Sequence, residues 1–149
     1  MIITRATEYA IRAVLYLAKQ PTGEVVLKKE ICKTQNITPA FLTKIFQPLI
    51  KCGIVGSQRG VGGGFFLDAA PEKVSLLAIV QAQEGEILLN YCLEQPGTCP
   101  RDKTCAVHDA WGKIRQQITS SLQDVTFDQL LRDEEKKLEK VRALRQDCA

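Results

Sequence analysis

Ile54-Val55-Gly56-Ser57-Gln58-Arg59-Gly60-Val61-Gly62-Gly63-Gly64-Phe65-Phe66-Leu67 is the stretch that decides the fold of this chain. Its two ends are apolar and β-prone and its centre is glycine. This predicts antiparallel strands at 54–58 and 65–67, joined by a flexible tip. A glycine-rich loop can also cradle a nucleotide phosphate. That reading requires a helix to open after the last glycine, whereas Phe65-Phe66-Leu67 continues as strand and no Gly-Lys-Ser/Thr follows. A tip that carries Arg59 among residues with little side chain instead suits a narrow minor groove, where negative potential attracts arginine. Ser57, Arg59, Gly60 and Gly62 are therefore the candidate DNA contacts of the hairpin.

Upstream, three segments carry helical periodicity. Tyr9, Ala10, Ala13, Val14 and Leu17 mark a helix over 7–19, closed by Gln20-Pro21-Thr22-Gly23. A short helix over 28–34 turns Ile31 inward. A third opens at Thr38-Pro39, an N-cap residue followed by proline at the first helical position. Leu42, Ile45, Phe46 and Leu49 form its apolar face, and Pro48 is expected to kink or loosen it. Three helices followed by a hairpin is the order of a winged helix-turn-helix, assigned to residues 1–67. The second helix of such a motif lies in the major groove. Thr38, Ala40, Thr43 and Lys44 are then its candidate base and phosphate contacts. Thr43 can hydrogen-bond a base edge or touch a thymine methyl, and Lys44 can reach guanine acceptors or a phosphate.

The charge distribution points the same way. The net +3 of the 149 residues divides unevenly: residues 1–67 hold nine Lys/Arg against three Glu, and 68–149 hold eleven basic against fourteen acidic. A basic first half suits a polyanion. With 45% apolar and 25% charged residues the composition is globular, no apolar run approaches the length of a spanning helix, and no signal peptide is recognisable. A cytoplasmic location without membrane attachment is expected.

Beyond the hairpin, 75–83 reads as a helix, and 93–104, with Pro96, Gly97 and Pro100, as a loop. A long helix then places Val107, Trp111, Ile114, Ile118 and Ser121 at spacings of four and three. Such a seam meets either a helix of a second copy or the chain's own domain. Thr126-Phe127-Asp128-Gln129 resembles a capping box that opens a final charged helix. The expected organisation is a DNA-binding module at 1–67, a connecting helix and cysteine loop at 68–106, and a dimerisation helix with a C-terminal helix at 107–149. The fold class is mainly α with a small β-hairpin wing.

Six cysteines in a reducing compartment call for metal or redox chemistry before disulfides. Cys32 and Cys52 lie among apolar residues and are expected to be buried, and Cys148 to be a bystander. Cys92, Cys99 and Cys105 fall within fourteen residues, and His108, the only histidine, follows Cys105 closely. No Cys-x-x-Cys knuckle of the kind usual in zinc sites is present. Thiolates spread along one loop can wrap a 2Fe–2S cluster, which needs four protein ligands. A zinc site and a thiol redox switch remain alternatives, as does a small thiol or iron–sulfur oxidoreductase. No catalytic residue is assigned.

These residues together resemble the Rrf2 family of winged-helix transcription regulators. The resemblance rests on Thr4–Val14, Phe41-Leu42-Thr43-Lys44-Ile45-Phe46-x-x-Leu49, Gly53-Ile54-Val55, Arg59-Gly60-x-Gly62-Gly63-Gly64-Phe65, the set Cys92, Cys99, Cys105 and His108, and Thr126-Phe127-x-Gln129-Leu130. Its branch of iron–sulfur cluster regulators is the most similar. The resemblance implies a homodimer joined through the long helix, a 2Fe–2S cluster on the cysteine loop, and a double-stranded DNA operator whose binding that cluster controls. His108 is the favoured fourth ligand, because its spacing from Cys105 fits. Related nitric-oxide-sensing members use an acidic residue at the position of Glu8, donated by the other subunit, so Glu8 is the alternative. Two departures stand out. The first cysteine gap is one residue longer than in that branch, and Ala40, Thr43 and Lys44 replace its Ser, Glu and Gln, so its operator does not transfer.

Overall fold

The computed structural model describes residues 3–94, 97, 99–101 and 103–146, so Cys148 lies outside the described residues. Helix α1 (Arg5–Ala18) starts where the Thr4 hydroxyl accepts the Thr7 N–H, and buries Ala10, Ala13, Val14 and Leu17 along one face. Helix α2 (Lys28–Gln35) buries Ile31 and ends at Asn36, which takes the left-handed conformation with φ 54°. Asparagine tolerates that region and closes the helix much as glycine would. Helix α3 (Pro39–Lys51) opens as its sequence predicts: the Thr38 Oγ1 accepts the Phe41 N–H at 3.2 Å and Pro39 occupies the first turn.

Pro48 does not end α3, which runs on to Lys51. The proline stands in the last turn, so the missing N–H takes a donor only from the Lys44 carbonyl. One residue along, the Ile45 carbonyl accepts Gln83 Nε2 at 2.6 Å, a bond from a different helix.

Strands β2 (Val55–Gln58) and β3 (Gly64–Leu67) pair antiparallel, with Ser57 opposite Phe65. A third strand, β1 (Val26–Leu27), joins the other edge of β3 and gives the order β1-β3-β2. Gly64 permits this closeness, because a Cβ there would collide with the Val26 carbonyl.

One core holds α1, α2, α3 and the sheet together, through Leu17, Ile31, Leu42, Ile45, Phe46, Leu49 and Leu67. Phe46 meets Phe65 edge-on, with ring centroids 4.9 Å apart, and Tyr9 meets Phe41 likewise at 5.6 Å. The third helix is thereby fixed to the wing on one side and to α1 on the other.

Helix α4 (Leu76–Glu84) is capped by Ser75, α5 spans Ala106–Asp124 and α6 spans Phe127–Gln146. The chain returns to the first core at Phe127, which is fully buried within it. Its N–H donates to the Val74 carbonyl, and Leu76 N–H donates to Val125. At the opening of α6 the Thr126 hydroxyl donates to Asp128. That bond, with the Arg132 charge nearby, holds the Asp128 carboxyl below its ordinary range.

Candidate nucleic-acid interface and cysteine loop

The side chains expected to meet DNA lie on the outer face of α3 and on the hairpin. Thr38, Ala40 and Lys44 are exposed and Thr43 is half-buried, while Leu42, Ile45 and Phe46 turn inward. Thr43 carries more structure than its sequence announced. Its hydroxyl donates to the Pro39 carbonyl at 2.9 Å and accepts Lys28 Nζ at 2.6 Å. Lys28 belongs to α2, so this bond spans the two helices of the helix-turn-helix.

The wing tip is a tight turn in which Gly63 N–H donates to Gly60 C=O at 3.0 Å. Gly62 stands at φ 80° and Gly60 at φ 94°, conformations that a side chain resists. Ser57, Arg59, Gly60 and Gly62 are all exposed. The hairpin therefore presents Arg59 at the edge of the same module that carries α3.

The chain leaves this module through the last turn of α4, and two adjacent residues there grip it. Gln83 holds the α3 backbone at Ile45. Glu84 Oε1 accepts the Thr4 N–H at 3.0 Å, the Thr4 hydroxyl at 2.6 Å and the Thr7 hydroxyl. The bonds from Thr4, then Thr7, hold the Glu84 carboxyl below its ordinary value of 4.5. Neither grip was legible in the sequence, because each joins residues far apart in the chain.

The cysteine loop follows at once. Cys92 lies in a short 3₁₀ turn at Tyr91–Leu93, where its Sγ accepts Asn90 Nδ2 at 3.1 Å. Arg115 of α5 donates to the Leu93 carbonyl at 3.3 Å. Cys105 stands at the N-terminus of α5, and the His108 N–H donates to its carbonyl at 3.0 Å. Cys92, Cys99 and Cys105 are free and half-buried. Among the described residues no three His, Cys, Asp or Glu side chains are gathered closely enough to hold a metal ion. The donor chemistry is nonetheless that of a ligand set, because the buried His108 Nδ1 has no hydrogen-bond partner. A buried nitrogen in that condition is costly unless something else meets it. Glu8 is exposed in the first turn of α1.

The other two cysteines separate. Cys32 is buried on α2, where desolvation pushes its thiol up. Cys52 is exposed, contrary to expectation. It caps the C-terminus of α3, beyond the last inward-facing residue, so its apolar neighbours do not cover it.

The seam of α5 divides in two. Ile118, with Leu122, packs on the second cluster formed by Leu77, Val80 and Ile87. Val107, Trp111 and Ile114 remain 61%, 38% and 40% exposed, a bare apolar stripe beside the cysteine loop. Among the described residues no helix is long and apolar enough to cross a membrane.

This arrangement has close counterparts. The Rrf2 family, described as iron-dependent transcriptional regulators, matches residues 3–133. The chain belongs to the Rrf2 family. It is 33% identical to a helix-turn-helix transcriptional regulator of Aquifex aeolicus, over 93% of this chain and 96% of that one. It is 30% identical to the regulator IscR of Vibrio vulnificus, over 91% and 80%. A crystal structure of a transcriptional regulator from Listeria innocua, 30% identical, superposes with a TM-score of 0.73 over 89% and 87%. This Rrf2 protein is accordingly a winged-helix DNA-binding transcription regulator. Its relatives are regulators of transcription, not enzymes, which sets the oxidoreductase reading aside.

Proposed function

We propose that this Rrf2 protein is a cytoplasmic homodimer whose affinity for a double-stranded operator is set by a 2Fe–2S cluster held by Cys92, Cys99, Cys105 and His108. The observation that carries the reading is the unpartnered, buried His108 Nδ1, one helical turn from Cys105, on a chain segment that also carries the half-buried thiols Cys92 and Cys99. Three thiolates and a neutral imidazole make up the four ligands such a cluster requires, and its binding would supply a redox-active centre that depends on iron supply. The family's iron-dependence supports this. Glu8 of a second copy is the alternative fourth ligand.

The bare stripe Val107, Trp111 and Ile114 supports the dimer, since a second copy of α5 would cover it. Thr38, Ala40, Thr43 and Lys44 then face the major groove, and Ser57, Arg59, Gly60 and Gly62 an adjacent minor groove. The route from loop to DNA is short. Cluster binding at Cys92, Cys99 and Cys105 bears on the end of α4, where Gln83 grips α3 and Glu84 grips α1. Two half-sites tolerate little change in the separation of their reading helices, so a small displacement there alters affinity.

The test is anaerobic purification followed by visible absorption, iron and sulfide analysis, and operator binding before and after chelation. Brown protein with two irons per chain and a chelation-dependent affinity is the expected result. Colourless protein with stoichiometric zinc overturns the cluster assignment, and equal affinity of both forms for every operator overturns the control. Sedimentation at a monomer's mass removes the dimer.

A further inference from the structure

A threonine on a reading helix has two ways to sense a base: its hydroxyl can hydrogen-bond an edge, or its methyl can pack against the 5-methyl of thymine. Here the hydroxyl of Thr43 has been committed. Its single proton goes to the Pro39 carbonyl and one of its lone pairs to the Lys28 ammonium. Only one acceptor site is left on the oxygen, beside a positive charge that disfavours a second donor. The part of Thr43 that can still meet a base edge is its Cγ2 methyl. Ala40, three residues earlier on the same helix face and exposed, adds a second methyl and no polar atom. The two form a small apolar patch in front of Lys44 on a face where polar readout is the usual expectation.

We propose that Thr43 selects thymine through methyl–methyl contact, and that Lys28 is the positioning residue that withdraws its hydroxyl from hydrogen-bonded readout. The inference rests on α3 being the reading helix. Lys28 is thus part of the specificity apparatus although it lies on α2, outside the reading face. It sets the chemistry that a neighbouring helix presents.

The experiment begins with selection of an operator from random duplex DNA by the full chain. Each dT of a half-site is then replaced by deoxyuridine, which removes only the methyl group. One position per half-site should lose about three- to fivefold in affinity, the scale of one buried methyl. Thr43→Val should keep that discrimination, because the methyl remains. Thr43→Ser should abolish it at that position and nowhere else. Lys28→Met should weaken the discrimination there while leaving the deoxyuridine response at other thymines intact, which a general loss of charge or fold would not do. A thymine-insensitive half-site, Thr43→Ser that discriminates like the native protein, or Thr43→Val that loses specific binding would each overturn the proposal and leave α3 as the reading helix. Failure to select any operator would count against that underlying reading instead.

Discussion

Phe127 is the residue through which the C-terminal helix enters the core of the DNA-binding module, and its removal gives a quantitative test of that connection. The ring is fully buried among the residues of the first core, and the residue's N–H is bonded to Val74. Phe127→Ala removes the ring and leaves a cavity in the packed first core, which costs about 3–5 kcal/mol. Against a typical domain stability of about 5–15 kcal/mol, this is a large fraction. With a urea m-value of about 2 kcal/mol/M, the unfolding midpoint should fall by about 1.5–2.5 M. Far-UV circular dichroism at one fixed protein concentration reads the shift, and equal m-values confirm that the same surface is being exposed. A fall of less than about 0.5 M would refute the argument. It would mean that Phe127 is not held in this core and that α6 docks elsewhere in solution.

Two further outcomes follow from named contacts. Gly64→Ala forces a Cβ into the Val26 carbonyl, so β1 must part from β3. Thermal denaturation should show a loss of about 1–3 kcal/mol, and an unchanged Tm would contradict the close pairing. Glu84→Gln keeps the hydrogen-bond acceptor but removes the charge. Because the folded carboxyl lies below its ordinary value of 4.5, its charge stabilises the fold above that value and the contribution is lost as pH falls through the folded pKa. Native protein should therefore be the more stable at neutral pH, with the gap closing in acid below pH 4.5. A gap that is constant with pH would show that the grip on Thr4 and Thr7 does not depend on ionisation.

The legible parts of this molecule were those written in local signals. Thr38-Pro39 announces the start of α3 because an N-cap and a proline each satisfy a backbone requirement within three residues. Gly60 and Gly62 announce the wing for the same reason. Strand β1 was missed because two residues have no periodicity to detect, and its partner stands across the hairpin. Phe127 reads as a lone aromatic in a charged segment, and only the returning chain gives it a core. Cys52 misled because neighbouring composition is not burial. The direction a residue faces depends on its angle around the helix, and residue 52 falls past the last inward turn. The ligand-type residues were legible as a cluster in sequence, but the bonds from Gln83 and Glu84 of α4 into α3 and α1 are tertiary and leave no pattern along the chain.

The bond from Gln83 to the Ile45 carbonyl has a consequence for how such a protein can diversify. It takes hold of α3 by its main chain, near the turn where Pro48 withholds a donor. Every amino acid supplies the same carbonyl there. Residues 40, 43 and 44, on the outer face of α3, can therefore be exchanged without touching the connection to α4. A lineage of these regulators is free to change the outer face of α3 while inheriting, unaltered, the bond that seats that helix on α4.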